Sequence, residues 1–270
     1  MQLSFGAMMR LAPHGPDTFV GTGPRYPWDG LYGGQIVAQA LQAAHLTVTA
    51  GHQPHSLHAY FLRMGDAMEP VRFEVERLRN GGTFTARQVV ARQSTGAILN
   101  MSASFQLEGP PTMDVQTAEA PNVAPPEEGK ELSWSPLFEL RLVQGSYQSL
   151  GQGRQTACSW FRVLEDLGDD AAAHAAALAY ASDSGPAWLV GALHDALVGP
   201  TRPWRPISLD HGIWFHRPFR ADDWLLFQAT SASLYNSRGL TQGLVFSQEG
   251  ALVASVAQEV FLRRPHPLPA

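Results

Sequence analysis

Three segments of the chain have the apolar spacing of a helix. From Gly33 to Val48, apolar residues recur every three or four positions and form one face, which predicts an amphipathic helix opened by two glycines. The segment from Pro186 to Leu197 repeats this stripe and starts with a proline, which suits a first helical turn. The Ala-rich segment from Ala171 to Tyr180 predicts a further helix, capped by Asp169 or Asp170 and without a counterpart in the first half.

Alternating patterns predict strands after each of the two amphipathic helices. Val71, Phe73 and Val75 are separated by charged residues, which is typical of a half-buried antiparallel strand. Five further segments have the composition of strands, namely Thr83–Arg92, Ile98–Phe105, Trp224–Ser231, Leu240–Ser247 and Ala251–Leu262. The pattern therefore predicts an α+β fold in which one helix faces one antiparallel sheet, twice.

The two halves of the chain match each other at an offset of 154 residues. This register takes Phe61 to Phe215 and Arg63 to Arg217, and six other positions are also identical. The Pro-rich, acidic segment between the halves lacks an apolar period, which is typical of a linker. We therefore predict two tandem repeats, residues 1–109 and 132–270, joined by a linker at residues 110–131.

Composition and charge narrow the class of protein. Hydrophobic residues make up 44% of the chain and charged residues 16%, so wholesale disorder is excluded. The net charge is -5 and no basic run is present, so we expect no nucleic-acid partner. No stretch approaches the length of about 18 consecutive apolar residues, so we expect no membrane span. The only cysteine, Cys158, cannot form an intrachain disulfide, and this usage favours a soluble cytoplasmic protein.

The usual catalytic signatures are absent from the sequence. It contains no G-x-S-x-G nucleophile elbow and no Gly-rich phosphate loop, which disfavours an α/β-hydrolase or a nucleotide enzyme, and we expect no cofactor. Cys158 lies beside aromatic residues in a predicted strand and is interpreted as structural. His52, His55 and His58 lie in a predicted loop that enters a strand, where a spacing of three does not place ligands on one face. We therefore expect no metal site.

Six longer motifs carry a resemblance to a known family. They are GGQIVAQAL from Gly33, HSLHAYFLR from His55, NMSASFQ from Asn100, YASD from Tyr180, SLDHGIWFHRPF from Ser208 and LVASVAQE from Leu252. In this order, over residues 28 to 263, they resemble the acyl-CoA thioesterase II family. The resemblance implies a double hot dog fold, in which each hot dog is an antiparallel sheet wrapped around a long helix. It also implies hydrolysis of acyl-CoA thioesters to a free fatty acid and coenzyme A.

The resemblance also implies a catalytic trio. By motif, its members are Asp183 of YASD, Ser208, and Gln258 of VAQE, which would hydrogen-bond the attacking water. Members of the family more commonly have Thr in place of Ser208; Ser keeps the hydroxyl but not the methyl group that fixes χ1. Asp183 shortly precedes the second predicted amphipathic helix, so we expect it at a helix N-terminus, while Gln258 lies in an apolar strand where an amide needs partners. Asp210 and His211 are interpreted as framework groups.

The internal register gives a hypothesis about the first half. Subtracting 154 from the trio gives Asp29, Pro54 and Ser104, so only the aspartate has a counterpart. We therefore expect one active site and one degenerate site. Five arginines are candidate contacts for the phosphates of coenzyme A, and the sequence does not choose among Arg63, Arg79, Arg87, Arg217 and Arg238.

Two other functions stay open at this point. A non-catalytic acyl-thioester binding protein would keep the substrate contacts without turnover, and the replacement of Thr by Ser208 leaves that function open. A hot dog enoyl-CoA hydratase would act on similar thioesters, although the D-x-x-x-x-H helix motif of hydratases is absent. By analogy with the fold, exposed sheet edges favour a homo-oligomer, and we expect a dimer.

Overall fold

The computed structural model describes residues 4–28, 30–109, 113–144, 155–192, 198–199, 202–203 and 205–263. The α-helices of the described residues are α1 Phe5–Met9, α2 Gly33–His45, α3 Ala171–Ser182 and α4 Pro186–Ala192, and a short 3-10 helix covers Pro126–Glu128. The strands of the first half are β1 Ala12–Pro13, β2 Thr18–Gly21, β3 His52–Phe61, β4 Val71–Asn80, β5 Phe84–Gln93 and β6 Gly96–Leu107. Those of the second half are β7 Lys130–Glu131, β8 Phe138–Gln144, β9 Gln155–Val163, β10 Val198–Gly199, β11 Arg202–Pro203, β12 Arg205–Ser208, β13 Asp210–Phe215, β14 Leu225–Tyr235, β15 Arg238–Ser247 and β16 Leu252–Arg263.

Both halves use the same order of strands in one continuous antiparallel sheet. The order is β2-β4-β5-β6-β3 in the first half and β9-β14-β15-β16-β13 in the second, extended at the edges by β1, β8 and β7. The halves join where β3 pairs with β13, with Tyr60 opposite Asp210 and Ser56 opposite Trp214. The predicted α+β class and the double hot dog architecture are therefore confirmed.

The predicted helices form with small changes at their ends. Helix α2 packs against β3 to β6 and against α3, and it ends at His45 rather than at Val48. Helix α3 is buried along nearly its whole length, and Asp170 caps it by accepting a hydrogen bond from the Ala172 amide at 3.0 Å. Among the described residues between β2 and α2, the first half has no helix that corresponds to α3. Helix α4 starts at the predicted Pro186; the rest of that predicted helix, residues 193–197, lies outside the described residues.

The segment between the halves is fastened to the second half. Residues 113–125 have no regular structure. The Trp160 indole donates to the Ala124 carbonyl at 2.9 Å, and the Gln116 side chain bonds the Leu252 amide at 2.7 Å and the Gly250 carbonyl at 2.9 Å. Part of the predicted linker therefore covers the second sheet instead of acting as a free tether.

The internal register slips by one residue at the last strand of each half. Arg92 pairs with Ala97, whereas its counterpart Phe246 pairs with Leu252, so the turn of the second hairpin has one residue more. The slip persists along the strand, where Arg87 pairs with Ala103 and Thr241 pairs with Gln258. The first-half counterpart of Gln258 is consequently Ala103. The predicted counterpart, Ser104, is wrong because an ungapped comparison cannot contain the extra turn residue.

The histidines and the cysteine noted in the sequence lie in strands. His52, His55 and His58 lie within β3 and not in a loop, which corrects the prediction. No group of three His, Cys, Asp or Glu side chains in the described part of the chain is arranged to hold a metal ion. Cys158 lies in β9 as predicted, and burial raises the pKa of its thiol to about 11. Among the helices of the described residues, none is long and apolar enough to cross a membrane.

Candidate active site

Asp183 lies at the junction of three helices. It caps the C-terminus of α3 and is only 9% exposed. Its carboxylate faces the first turn of α2, where it accepts a hydrogen bond from the Gly34 amide. We expected this aspartate at the N-terminus of the helix that follows it, but the amide comes from the first half of the chain. The reason is that α3, which sequence periodicity could not place, packs along α2.

The two glycines that open α2 make this approach possible. A Cβ atom at Gly33 would lie 2.8 Å from Asp183 Oδ2, and one at Gly34 would lie 2.3 Å from the Tyr180 carbonyl oxygen. Both distances are too short for any side chain. The paired glycines of GGQIVAQAL are therefore needed by the site as well as by the helix, which is a signal that the sequence carries.

The structure brings the three predicted site residues together. Gln258 is fully buried on β16, and its Nε2 donates to Asp183 Oδ1 at 2.9 Å. The same nitrogen donates to Ser208 Oγ at 2.5 Å. Strand β12 positions Ser208 here because it pairs with β16, with Ser208 opposite Val260. One amide thus links the carboxylate to the hydroxyl.

Two further buried side chains extend this cluster. His211 Nδ1 lies 2.9 Å from Gln258 Oε1, and His211 Nε2 lies 3.0 Å from Ser182 Oγ. An amide oxygen can only accept, so Nδ1 donates, and in the neutral ring Nε2 then accepts from the Ser182 hydroxyl. Burial lowers the pKa of His211 to about 4, which keeps the ring neutral. Asp210 instead accepts a hydrogen bond from the Glu259 amide at 2.6 Å, as a framework group would.

Burial dominates the electrostatics of Asp183. It raises the pKa of the carboxyl to about 7, although hydrogen bonds from Gln258 and from the Gly34 amide act in the opposite direction. A carboxyl with a pKa near neutrality is half ionised at neutral pH and can accept a proton from water and return it. The site therefore holds a group suited to general base catalysis.

Aromatic side chains from both halves enclose one side of the site. Tyr32, just before α2, donates to the Tyr180 carbonyl at 2.7 Å and packs edge-on against Trp134 at 4.7 Å between ring centroids. The Trp134 indole donates to Ser184 Oγ at 3.0 Å, one residue beyond Asp183. These contacts fix the end of α3, where Asp183 lies. The sequence gives no sign of them, because the rings come from distant segments.

The five candidate arginines do not form one cluster. Arg87 is fully buried and all five of its N–H groups bond to neutral protein oxygens, so it cannot contact a ligand. Arg63 and Arg217 occupy equivalent positions and donate to the carbonyls of Ala97 and Leu252. Arg217 also bonds Asp114, and Arg238 bonds Glu259. The contacts to coenzyme A therefore stay unassigned.

Comparison with known proteins adds independent information. A family model described as acyl-CoA thioesterase N-terminal domain matches residues 24–106, and the corresponding C-terminal domain model matches residues 115–262. Human acyl-coenzyme A thioesterase 8 is 34% identical over 288 residues, which cover 95% of this chain and 88% of the human protein. Acyl-CoA thioesterase 2 of Haemophilus influenzae is 33% identical over 254 residues, covering 86% and 87%.

A solved structure agrees over nearly the whole chain. The crystal structure of the acyl-CoA thioesterase II TesB2 from Mycobacterium marinum superposes with a TM-score of 0.83 and 34% identity, covering 98% of this chain and 99% of that one. Fold, family models and relatives together define a thioester hydrolase built from two hot dogs. The chain belongs to the acyl-CoA thioesterase II family, which confirms the resemblance seen in its motifs.

Proposed function

We propose that this thioester hydrolase converts fatty acyl-CoA to a free fatty acid and coenzyme A, with Asp183 as the general base. The observation that carries the proposal is the buried contact of Asp183 with Gln258, which in turn bonds Ser208. The pKa of the Asp183 carboxyl, raised to about 7, suits the transfer of a proton from water at neutral pH.

The hydrogen-bond inventory defines the part of each group. Both Nε2 hydrogens of Gln258 are engaged, one by Asp183 and one by Ser208. Ser208 Oγ accepts from Gln258, so its own hydrogen stays available to the water. The water then lies between the hydroxyl of Ser208 and a carboxylate oxygen of Asp183, and Gln258 sets the spacing of these two groups.

The reaction follows from this placement. Asp183 takes a proton from the water while the water oxygen forms a bond to the thioester carbonyl carbon. The tetrahedral intermediate breaks its C–S bond, releases the fatty acid and expels the thiolate of coenzyme A, which takes the proton back from Asp183. The first-turn amides of α2 have no partner within the helix, and those that Asp183 does not use would stabilise the carbonyl oxygen as it becomes negative.

The first repeat supports a single site per chain. The counterparts of Ser208 and Gln258 are Pro54 and Ala103, and neither offers a side-chain hydrogen bond. Asp29, the expected counterpart of Asp183, lies outside the described residues. One functional and one degenerate position are therefore part of the proposal.

Thiol release measures the proposed activity directly. We expect wild-type protein to release free thiol from fatty acyl-CoA, and Asp183→Asn to lose at least about a hundredfold in kcat, because an amide cannot accept the proton. Asp17→Asn is the matched control and should keep full activity, because Asp17 is half-buried and pairs with Arg77 away from the site. Full turnover by Asp183→Asn would refute the assignment of the base.

Two further assays, run beside thiol release, separate the alternative functions. A binding protein would retain acyl-CoA in equilibrium dialysis without releasing thiol, and a hydratase would change the absorbance of an enoyl-CoA without releasing thiol. No specific observation favours either alternative over hydrolysis. The cytoplasmic location, the dimer and the exact limits of the repeats stay predictions.

A further inference from the structure

We propose that His211 is a positioning residue of the hydrolytic site, which holds the Gln258 amide in its orientation, and that Ser182 holds the ring of His211 from the opposite side. This inference rests on the proposed function and adds two residues to it. His211 and Ser182 touch neither water nor substrate in the proposed mechanism. Their effect on the reaction passes through the amide that spaces Asp183 and Ser208.

The geometry determines which atom donates in each hydrogen bond between Ser182, His211 and Gln258. The Ser182 hydroxyl and the Gln258 oxygen lie on opposite nitrogens of the ring, at 3.0 Å and 2.9 Å. All three side chains are fully buried, so water cannot replace either partner. With a donor at Nδ1, the amide must present its oxygen to His211 and its nitrogen to Asp183 and Ser208.

The opposite amide orientation is unfavourable in this site. A half-turn about the last side-chain bond would bring the Gln258 oxygen to the position of Nε2, 2.9 Å from Asp183 Oδ1. Two acceptor oxygens at that distance repel each other, and the Asp183 carboxylate would lose its side-chain donor. The N–H of His211 adds to this preference, because it bonds the Gln258 oxygen on the side away from Asp183.

The first repeat shows that the fold does not need these polar groups. The strand positions of His211 and Gln258 correspond to Leu57 and Ala103, which are buried and apolar. A buried polar network costs desolvation energy that an apolar pair avoids. Because one copy of the fold packs these positions with a leucine and an alanine, the polar version in the other copy is retained for the chemistry.

No neighbouring group competes for this role. The titratable side chains near Asp183 are Tyr32 and Tyr180, and burial raises the pKa of both phenols, so they stay neutral. On β13, the carboxylate of Asp210 is bonded to the Glu259 amide instead. Within the described residues, Gln258 is the one side-chain donor to the Asp183 carboxylate.

Two substitutions of His211 test the proposal. His211→Leu imitates Leu57 and removes the donor, whereas His211→Asn places an amide N–H close to the position of Nδ1. We expect His211→Leu to lose about tenfold to a hundredfold in kcat with KM changed less than about twofold, as for a misplaced catalytic group. The acid limb of its kcat–pH profile should move to higher pH, because Asp183 loses support from Gln258. His211→Asn should recover most of kcat and the wild-type pH profile.

Controls separate this effect from general loss of structure. His174→Leu is the matched control: His174 is also buried, with its ring bonded to the Gly168 carbonyl and the Ala221 amide, and we expect an unmoved pH profile. If His211→Leu does not fold, Ser182→Ala gives a second test, since loss of the hydroxyl leaves Nε2 of His211 without its partner and weakens the hold of the ring on Gln258. Thermal unfolding checks each variant.

The outcomes are distinct from those that test the function itself. Loss of thiol release in Asp183→Asn supports hydrolysis, whatever the histidine variants do. A folded His211→Leu with wild-type kcat and pH profile would overturn the positioning role while leaving the hydrolase intact. Equal loss in His211→Leu and His211→Asn, without a moved acid limb, would also overturn it, because it would indicate packing alone.

Discussion

Replacing Gln258 by leucine tests the electrostatics of the site most directly. The substitution removes the side-chain donor to Asp183, whose carboxyl is 9% exposed and so cannot turn to solvent. A hydrogen bond to a buried charged group contributes about 1.5–3 kcal/mol, which corresponds to a rise of about one to two pH units in the midpoint for ionisation of Asp183. From a starting pKa of about 7, the ionised fraction at pH 7 should fall about fivefold to fiftyfold.

The assay is thiol release under saturating acyl-CoA between about pH 5 and about pH 9.5, so that the midpoint of kcat reports the enzyme–substrate complex. Gln258→Leu should show a displaced acid limb and a lower plateau, since Ser208 also loses its partner. Gln39→Leu is the matched control, because Gln39 is a fully buried amide bonded to the Met8 and Thr22 carbonyls. An acid limb that stays in place in Gln258→Leu would refute this account of the Asp183 pKa.

Three further predictions concern stability and the remaining site residues. Arg87→Met removes the guanidinium that donates to the carbonyls of Thr47, Arg79 and Ala86. We expect a loss of about 3 kcal/mol or more in the free energy of unfolding, measured in urea, with normal kcat per folded molecule. A loss below about 1 kcal/mol would contradict this prediction. Ser208→Ala should lower kcat about tenfold or more. Ser208→Thr should have a kcat that matches or exceeds that of the wild type, because it keeps the hydroxyl and fixes χ1. Similar kcat values for the Ala and Thr variants would argue against a role of the hydroxyl. Burial lowers the pKa of His211 to about 4 in the folded protein, whereas the pKa is near 6.5 in the unfolded chain. Between these values the unfolded state binds more protons, so the folded protein loses about 3 kcal/mol of stability as the pH falls from 6.5 to 4. His211→Leu should lose less stability than the wild type across that interval in urea titrations, and identical pH dependences would contradict the prediction.

Local patterns predicted most of the architecture because each element carries its own signal. The alternation at Val71, Phe73 and Val75 lies in β4, and the helical stripe that starts at Gly33 forms α2. The catalytic trio came from motifs, and the structure brings its members within hydrogen-bond distance. Their roles stay a proposal that the described geometry supports.

What the sequence does not predict depends on packing between distant segments. Helix α3 is apolar on nearly all sides, so its periodicity does not show that it lies along α2 and turns Asp183 toward Gly34. The link from His211 to Gln258 joins two strands at a particular register, and one extra residue in a hairpin turn changes the counterpart of Gln258 from Ser104 to Ala103. A comparison of the two halves without gaps cannot detect that change.

The proposed site draws on both repeats, although the first repeat has Pro54 and Ala103 at the positions of Ser208 and Gln258. The first repeat contributes the first turn of α2, whose paired glycines admit the Asp183 carboxylate and whose Gly34 amide bonds it. The second repeat contributes the carboxylate, the amide of Gln258 and the hydroxyl of Ser208. In the proposed mechanism, each repeat alone therefore lacks a part of the site. What the proposed site takes from the first repeat is backbone at a helix end, so the proposed chemistry does not need polar side chains at Leu57 and Ala103.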